Sequence, residues 1–327
     1  MSIDIDRFRQ IRALVIGDLM IDEYLWGRVE RISPEAPVPV VAVEKENHTL
    51  GGAGNVINNL TAMGAKVSAI GTAGTGKAGR MILEKLGELS VQTHGIISEP
   101  DRPTTVKTRV IASSQQVLRI DREVKRPISS STLARLVSIM TSMIDQVDLI
   151  IISDYDKGLV TPELVRCTVD LARKHGVLIL ADPKALRFDK YTRVSLLTPN
   201  QKEAAQAANM EITTREDLFA AGRMLLETVA LDRLVITCGK DGMVLFEPGL
   251  APHVIASKAR QVFDVSGAGD TVISLLGLGL AAGASFRESA AVANAGAGIV
   301  VGKVGTAAPT VAELKAVLDP DKKILDS

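Results

Sequence analysis

Residues 148–182 read DLIIISDYDKGLVTPELVRCTVDLARKHGVLILAD, and the order of their patterns decides the fold class. Asp148–Ser153 is a short apolar run of the kind buried in a sheet, Pro162–His175 has helical spacing, and Val177–Asp182 is apolar again. A strand, a helix and a second strand in that order imply a right-handed crossover and a parallel sheet.

Outward from this unit the alternation continues both ways. Beyond Asp182 come a strand near Leu196, a helix over Lys202–Asn209, a strand over Leu234–Cys238 and a hairpin-like stretch through Phe246. Two apolar helices, near Ala268–Ala282 and Arg287–Gly302, follow. Before Asp148 there is a helix over Ser131–Ile144, and nearer the start a buried strand, Leu14–Gly17, that delivers Asp18 at its carboxyl end. GGAGNVINNLTAMGA (51–65) opens with glycines and continues as a helix, followed by a strand over Lys66–Ala73 and a helix over Lys77–Leu89.

Two tracts depart from this rhythm. Tyr24–Glu46 is broken by Pro34, Pro37 and Pro39, and Thr93–Glu123 contains TTVKTRVIA and QVLRIDR; both suit short, partly exposed strands outside the main sheet. The expected architecture is one α/β domain over 1–327, a mainly parallel sheet between helices, with a discontinuous β lid from about 22–48 and 93–123.

Composition agrees: 46% of the 327 residues are hydrophobic and only 3% aromatic, so the core is built from Val, Ile, Leu and Ala. Thirty-eight basic side chains balance 38 acidic ones, which gives no electrostatic reason to expect nucleic acid or an anionic membrane as partner. Cys167 and Cys238 are too few for a disulfide framework or a zinc site. The opening MSIDIDRFRQ has no signal-like apolar stretch, and no run reaches the roughly 18 apolar residues of a spanning helix; the expected location is the cytoplasm.

The chemistry concentrates in DVSGAGDT, Asp264–Thr271, a glycine-rich turn running into an apolar helix. Gly267, Ala268 and Gly269 let backbone approach a ligand closely, and the free N–H groups and dipole of the helix start favour an anion. Asp270 sits just inside that nest, where a carboxylate can take a proton from an attacking hydroxyl while the amides hold a transferring phosphoryl group. On its own, GAGD fits an ordinary helix-start turn equally well.

DVSGAGDT resembles the C-terminal signature of the ribokinase-like, phosphofructokinase-B family of carbohydrate kinases. GDLMIDEY, GGAGNVINNLTAMGA, ISDYDKGLV, DPK, TPNQKEA and TCGKDGM fall in that family's order, nearly end to end. Leu275 and its bulky neighbours depart from the small residues usual one turn beyond the acid, a matter of helix packing. The resemblance implies a ribokinase-like three-layer sandwich and an ATP-dependent kinase with Asp270 as base and Gly267–Gly269 as anion hole. It also implies Mg2+ carried with ATP. It places Asn200 and Glu203 by the triphosphate, Glu203 meeting the metal through water, although Asn200 or Thr198 as a helix cap explains the same residues. It puts Lys184, Thr237, Gly239 and Gly242 near nucleotide phosphate or ribose, and Asp264 near the nucleotide or a monovalent cation such as K+. Asn294 would lie on the adenine side or simply bond helix to helix.

RISPEAPVPVV, TTVKTRVIASSQQVLRID and ISDYDKGLV are most similar to the branch of bacterial kinases acting on D-glycero-β-D-manno-heptose 7-phosphate, in lipopolysaccharide precursor synthesis. That implies transfer to the anomeric C1 hydroxyl. A substrate already bearing phosphate needs cations, for which Lys107, Arg109 and Lys157 are the candidates, with Asp18, Asn55 and Asp154 for hydroxyls and Gly52 for close backbone approach. Lys107 and Arg109 would also suit the solvent face of a lid strand, and Asp154 a pair with Lys157.

The nearest rival is a ribokinase- or fructokinase-like kinase of another sugar. A nucleotide-binding oxidoreductase is less favoured, because the strand after which GxGxxG is required ends instead in Gly17-Asp18-Leu19. No HxGH element occurs, so adenylyl transfer is expected from a separate protein. The lid's free edges suggest a homodimer clasped through it.

Overall fold

The computed structural model describes residues 3–99, 101–112, 115–184, 188–257, 264–303 and 305–318. In chain order the strands are β1 (Arg12–Gly17), β2 (Leu19–Ile32), β3 (Pro39–Gly52), β4 (Lys66–Ala73), β5 (Gln92–Ser98), β6 (Thr105–Ala112), β7 (Gln115–Arg122), β8 (Leu149–Ser153), β9 (Leu178–Asp182), β10 (Leu196–Leu197), β11 (Arg233–Thr237), β12 (Met243–Phe246) and β13 (His253–Ile255). The helices are α1 (Ala53–Ala62), α2 (Lys77–Glu88), α3 (Ser130–Met143), α4 (Pro162–His175), α5 (Gln201–Ala208), α6 (Arg215–Thr228), α7 (Ala268–Ala281), α8 (Phe286–Val300) and α9 (Val311–Leu318).

Among the described residues, nine strands form one sheet in the order β13-β12-β11-β10-β9-β8-β1-β4-β5. It is parallel from β11 to β5 and antiparallel at β12 and β13. Alternation along each strand divides two cores. Ala13 and Val15 of β1, with Leu149 and Ile151 of β8, pack beneath α1, α7 and α8. Leu14, Ile16, Ile150 and Ile152 face the opposite layer, with Leu136 of α3 and Leu164 of α4. The bulky residues of α7 are met by small ones opposite. Leu275 is fully buried against Gly296 of α8, where an added Cβ would come within 2.1 Å of its Cδ1.

α6 and α9 add to the expected elements. α6 opens on a reciprocal cap, Thr214 accepting from the Asp217 amide while Asp217 accepts from the Thr214 amide.

A second sheet has the order β3-β2-β6-β7. Its boundaries correct the expected ones at both ends. Gln92–Ser98 pairs in parallel with β4 in the large sheet, so the small sheet's later part begins at Thr105 and not near 93. β2 and β3 are not short pieces but 14-residue partners that begin and end at the main core. Pro34 and Pro37 lie in the turn between them, and Pro39 occupies the first position of an edge strand, where its missing N–H breaks no ladder bond. Leu19, Ile21 and Leu50 anchor the root of this lid in the core. Among the described residues no helix is long and apolar enough to cross a membrane.

Candidate active site

The carboxyl ends of β1, β8, β9 and β11 lead to Asp18, Asp154, Asp182 and Thr237, so the polar residues gather where an open parallel sheet presents its ligands. Over this edge stands the head of α7. Gly267 caps it in the left-handed region, φ 80°, and an added Cβ would lie 2.4 Å from Asn55 Nδ2, so only glycine fits. The Thr271 amide closes the first turn on the Gly267 carbonyl at 3.0 Å, and the helix offers no acceptor to the N–H groups of Gly269 and Asp270 just before it. Of the amides expected to form an anion nest, that of Ala268 is already donated to the Val265 carbonyl at 3.3 Å, which leaves those of Gly269 and Asp270 for a ligand.

Asp270 is 3% exposed. Its Oδ2 accepts from Asn55 Nδ2 at 2.7 Å and its Oδ1 from the Tyr155 hydroxyl at 2.8 Å. Burial raises its pKa, these two donors pull it back, and the charge of Asp22 raises it again, leaving it at about 6. Asn55 is fully buried, and its Oδ1 has no hydrogen-bond partner among the described residues, an acceptor suited to an incoming hydroxyl. Asn59 fixes α1 against α7: its Nδ2 donates to the Asn55 carbonyl and its Oδ1 accepts from Thr271, both at 2.8 Å.

Asp18 does different work from the hydroxyl contact expected of it. Its carboxylate accepts the backbone N–H groups of Tyr155 at 2.9 Å, Lys157 at 3.1 Å and Leu159 at 3.3 Å, fastening the loop that carries Tyr155. Burial raises its pKa in spite of those amides. Asp154 corrects a second expectation. Its side chain points to the opposite layer, paired with Lys190 and accepting from the Tyr191 hydroxyl and the Asp156 amide, rather than toward Asp270 or Lys157. Alternation at the end of β8 explains this, since Ile150 and Ile152 face that same layer. Gly52, φ 56°, is required by protein backbone, because a Cβ would lie 2.5 Å from the Asp18 carbonyl oxygen.

On the lid, Arg109 is not on a free solvent face. Its Nη1 lies 2.6 Å from Asp22 Oδ1, and its guanidinium stands 5.3 Å from the centre of the Tyr24 ring. Lys107 pairs with Asp121 at 3.1 Å and Glu123 at 3.4 Å, and Lys157 with the same Glu123 carboxylate at 2.9 Å. Lys107 and Lys157 thus meet at one acid.

The residues expected beside a nucleotide already have partners within the protein. Asn200 and Glu203 form a reciprocal cap on α5, each accepting the other's backbone N–H, at 2.9 and 3.0 Å. Glu203 keeps its Oε1 for Lys184, 2.8 Å away. Asp182 lies beside this pair and would stand 3.9 Å from a Cβ on Gly269. Burial and the charges of Asp270 and Glu203 push it well above the ordinary carboxylate range. Thr237 ends β11, and Gly239 and Gly242 flank the short turn into β12. Burial alone would raise Asp264, but the amides of Ser266 at 2.9 Å and Gly305 at 3.1 Å carry it below its ordinary value. Asn294 donates to the Ala256 carbonyl at 2.8 Å, tying α8 to the loop after β13.

Asp22, Tyr155 and Asp182 are the site residues missing from the sequence expectations. Asp22 has a signal, an acid directly after the apolar run Leu19–Ile21, and Asp182 opens the DPK element; Tyr155 is marked by nothing except its place in ISDYDKGLV.

The profile of the "pfkB family carbohydrate kinase" matches residues 10–313. The "Bifunctional protein HldE" of Desulfatibacillum aliphaticivorans is 53% identical over 317 residues, 97% of this chain, but the chain spans only 65% of that relative's length. Among solved structures, phosphofructokinase-2 from Escherichia coli in complex with potassium superposes with a TM-score of 0.77 at 19% identity, covering 94% of this chain and 97% of that one. Arabidopsis thaliana ribokinase complexed with ribose and ATP gives 0.73 at 18%, covering 94% and 98%. At such identities these two establish a shared ribokinase-like α/β fold.

Proposed function

The chain belongs to the pfkB family of carbohydrate kinases, and from that premise we propose that it transfers the γ-phosphoryl group of ATP to the anomeric C1 hydroxyl of D-glycero-β-D-manno-heptose 7-phosphate. The product is the 1,7-bisphosphate, a precursor for ADP-heptose and lipopolysaccharide core. The observation that carries the transfer chemistry is the buried Asp270 at the head of α7, gripped on both oxygens and poised at about 6. Relatives bearing the name HldE, and the cations at the lid side of the site, support the phosphorylated acceptor.

Asp270 takes the proton as the C1 oxygen attacks, and a pKa near working pH keeps it ionised yet basic enough to accept. Tyr155 and Asn55 hold its two oxygens in place, while the Asn55 Oδ1 orients the acceptor hydroxyl. The amides of Gly269 and Asp270 and the α7 dipole suit the charge that builds on the transferring group. Magnesium carried with ATP would offset the charge of its phosphates. Glu203, in the first turn of α5, and Asp182, at the end of β9, would meet that metal through water. Asp264, kept ionised, is the residue suited to a monovalent cation such as K+.

The lid edges β3 and β7, with Val43 and Leu118 each more than half exposed, suit a homodimer joined lid to lid. Light scattering of Leu118→Asp and Val43→Asp variants checks it: wild type runs as a dimer and the variants as monomers, whereas a monomeric wild type refutes it. For the activity, the purified chain with magnesium-ATP is offered heptose 7-phosphate, ribose and fructose. Turnover of the heptose phosphate is expected to dominate; efficient use of ribose or fructose with none of heptose phosphate would overturn the assignment.

A further inference from the structure

Two lysines from different elements meet on one carboxylate. Lys107, on β6, and Lys157, on the loop after β8, are only 14% and 12% exposed, and Glu123 stands between them. Both cations belong to the site. Lys107 is the register partner of Asp22 on β2, next to the Asp22–Arg109 pair, and the Lys157 amide is bound by Asp18. A nearly buried ammonium needs an anion beside it at all times, because leaving it unpaired costs several kcal/mol. Glu123 is the anion the two share, at 2.9 Å from Lys157 and 3.4 Å from Lys107, while Asp121 also holds Lys107 at 3.1 Å.

We propose that Glu123 is an internal substitute for the acceptor's phosphate, holding Lys107 and Lys157 until a phosphate-bearing sugar displaces it. The proposal rests on the reading of the acceptor as a sugar phosphate. Three features carry it. Glu123 follows the last residue of β7 and begins a stretch without regular structure, so its side chain can leave without unpairing a strand. A phosphate offers more oxygens and more charge than a carboxylate to the same two ammonium groups, so the exchange favours the ligand. An unphosphorylated sugar has nothing to exchange, so Glu123 stays in place and selects against it. The acid that neutralises the lysines is then what makes the site discriminate.

Glu123→Gln keeps the shape and removes the competitor. Inorganic phosphate, titrated calorimetrically into the full chain, is expected to bind the variant about tenfold more tightly than wild type, as loss of one charge-assisted contact predicts. The KM for the sugar 7-phosphate, divided by the KM for its dephosphorylated counterpart, should fall by about the same factor. Adding Lys157→Met to Glu123→Gln should cancel the gain. If the variant is less stable, phosphate should raise its Tm more than it raises that of wild type. Unchanged or weaker phosphate binding, or a KM raised for both sugars alike, would make Glu123 a structural counter-ion or a sugar ligand and end the proposal. Should wild type phosphorylate only unphosphorylated sugars, the acceptor assignment fails, while the phosphate titration still judges Glu123 by itself.

Discussion

The head of α7 and the inner side of the lid hold their charges in opposite ways. Asp270 is gripped by two neutral donors, the amide of Asn55 and the hydroxyl of Tyr155. Lys107, Arg109 and Lys157 are each met by a carboxylate. Neutral donors orient an acid without cancelling its charge, so it stays available as a base. Counter-ions silence a cation until another anion replaces them. One region is built to react with what arrives, and the other to trade partners with it.

The largest test breaks the first region. Asp270→Asn should lower kcat by about 10²–10⁴ with the KM for ATP little changed, since only proton acceptance is lost; steady-state kinetics check this. The same variant should gain stability. Burial holds Asp270 at about 6, above its ordinary 3.8, so the acid favours the fold when protonated. That contribution is complete below its unfolded pKa and disappears as pH rises through about 6. Asparagine never ionises, and it can accept from Asn55 while donating to Tyr155. Denaturant titrations should show the variant more stable than wild type at pH 8 by a margin on the order of 3 kcal/mol, shrinking to nothing near pH 4.

Smaller effects sharpen the second region. Arg109→Ala should raise the KM for the sugar phosphate roughly tenfold or more while leaving that for ATP within about twofold; an unchanged sugar KM would return Arg109 to a purely structural pairing with Asp22. Tyr155→Phe should lower kcat about tenfold and move the acid limb of the pH–rate profile up by about one unit, because a donor that lowers the pKa of Asp270 is gone.

What could be read in the sequence followed its periodicity. Strand alternation with 3.6-residue helices specified the parallel sheet, and the glycines before Asp270 specified the left-handed turn that opens α7, because both depend on local backbone chemistry. The lid boundary slipped at Gln92–Ser98 because an edge strand of the large sheet carries the same mixed pattern as a lid strand; pairing with β4 decides it, and pairing is not local. Asp182 ends β9 and Asp154 directly follows β8, yet Asp154 binds Lys190 in the far layer and Asp182 lies beside the head of α7. Direction out of the sheet, which residue type does not encode, separates them. Tyr155 is illegible for a similar reason, since its role depends on Asp18, at the end of the neighbouring strand β1, gathering the loop after β8.

The central claim is that Asp270 accepts the proton during transfer, and the measurement that meets it most directly is kcat for wild type divided by kcat for Asp270→Asn, taken at each pH from 5 to 8 so that ionisation of the substrates' own phosphates cancels. The ratio should climb about tenfold per unit up to a break near pH 6 and then level off at about 10²–10⁴. A ratio that stays near one, or one that is large but independent of pH, would show that some other group takes the proton.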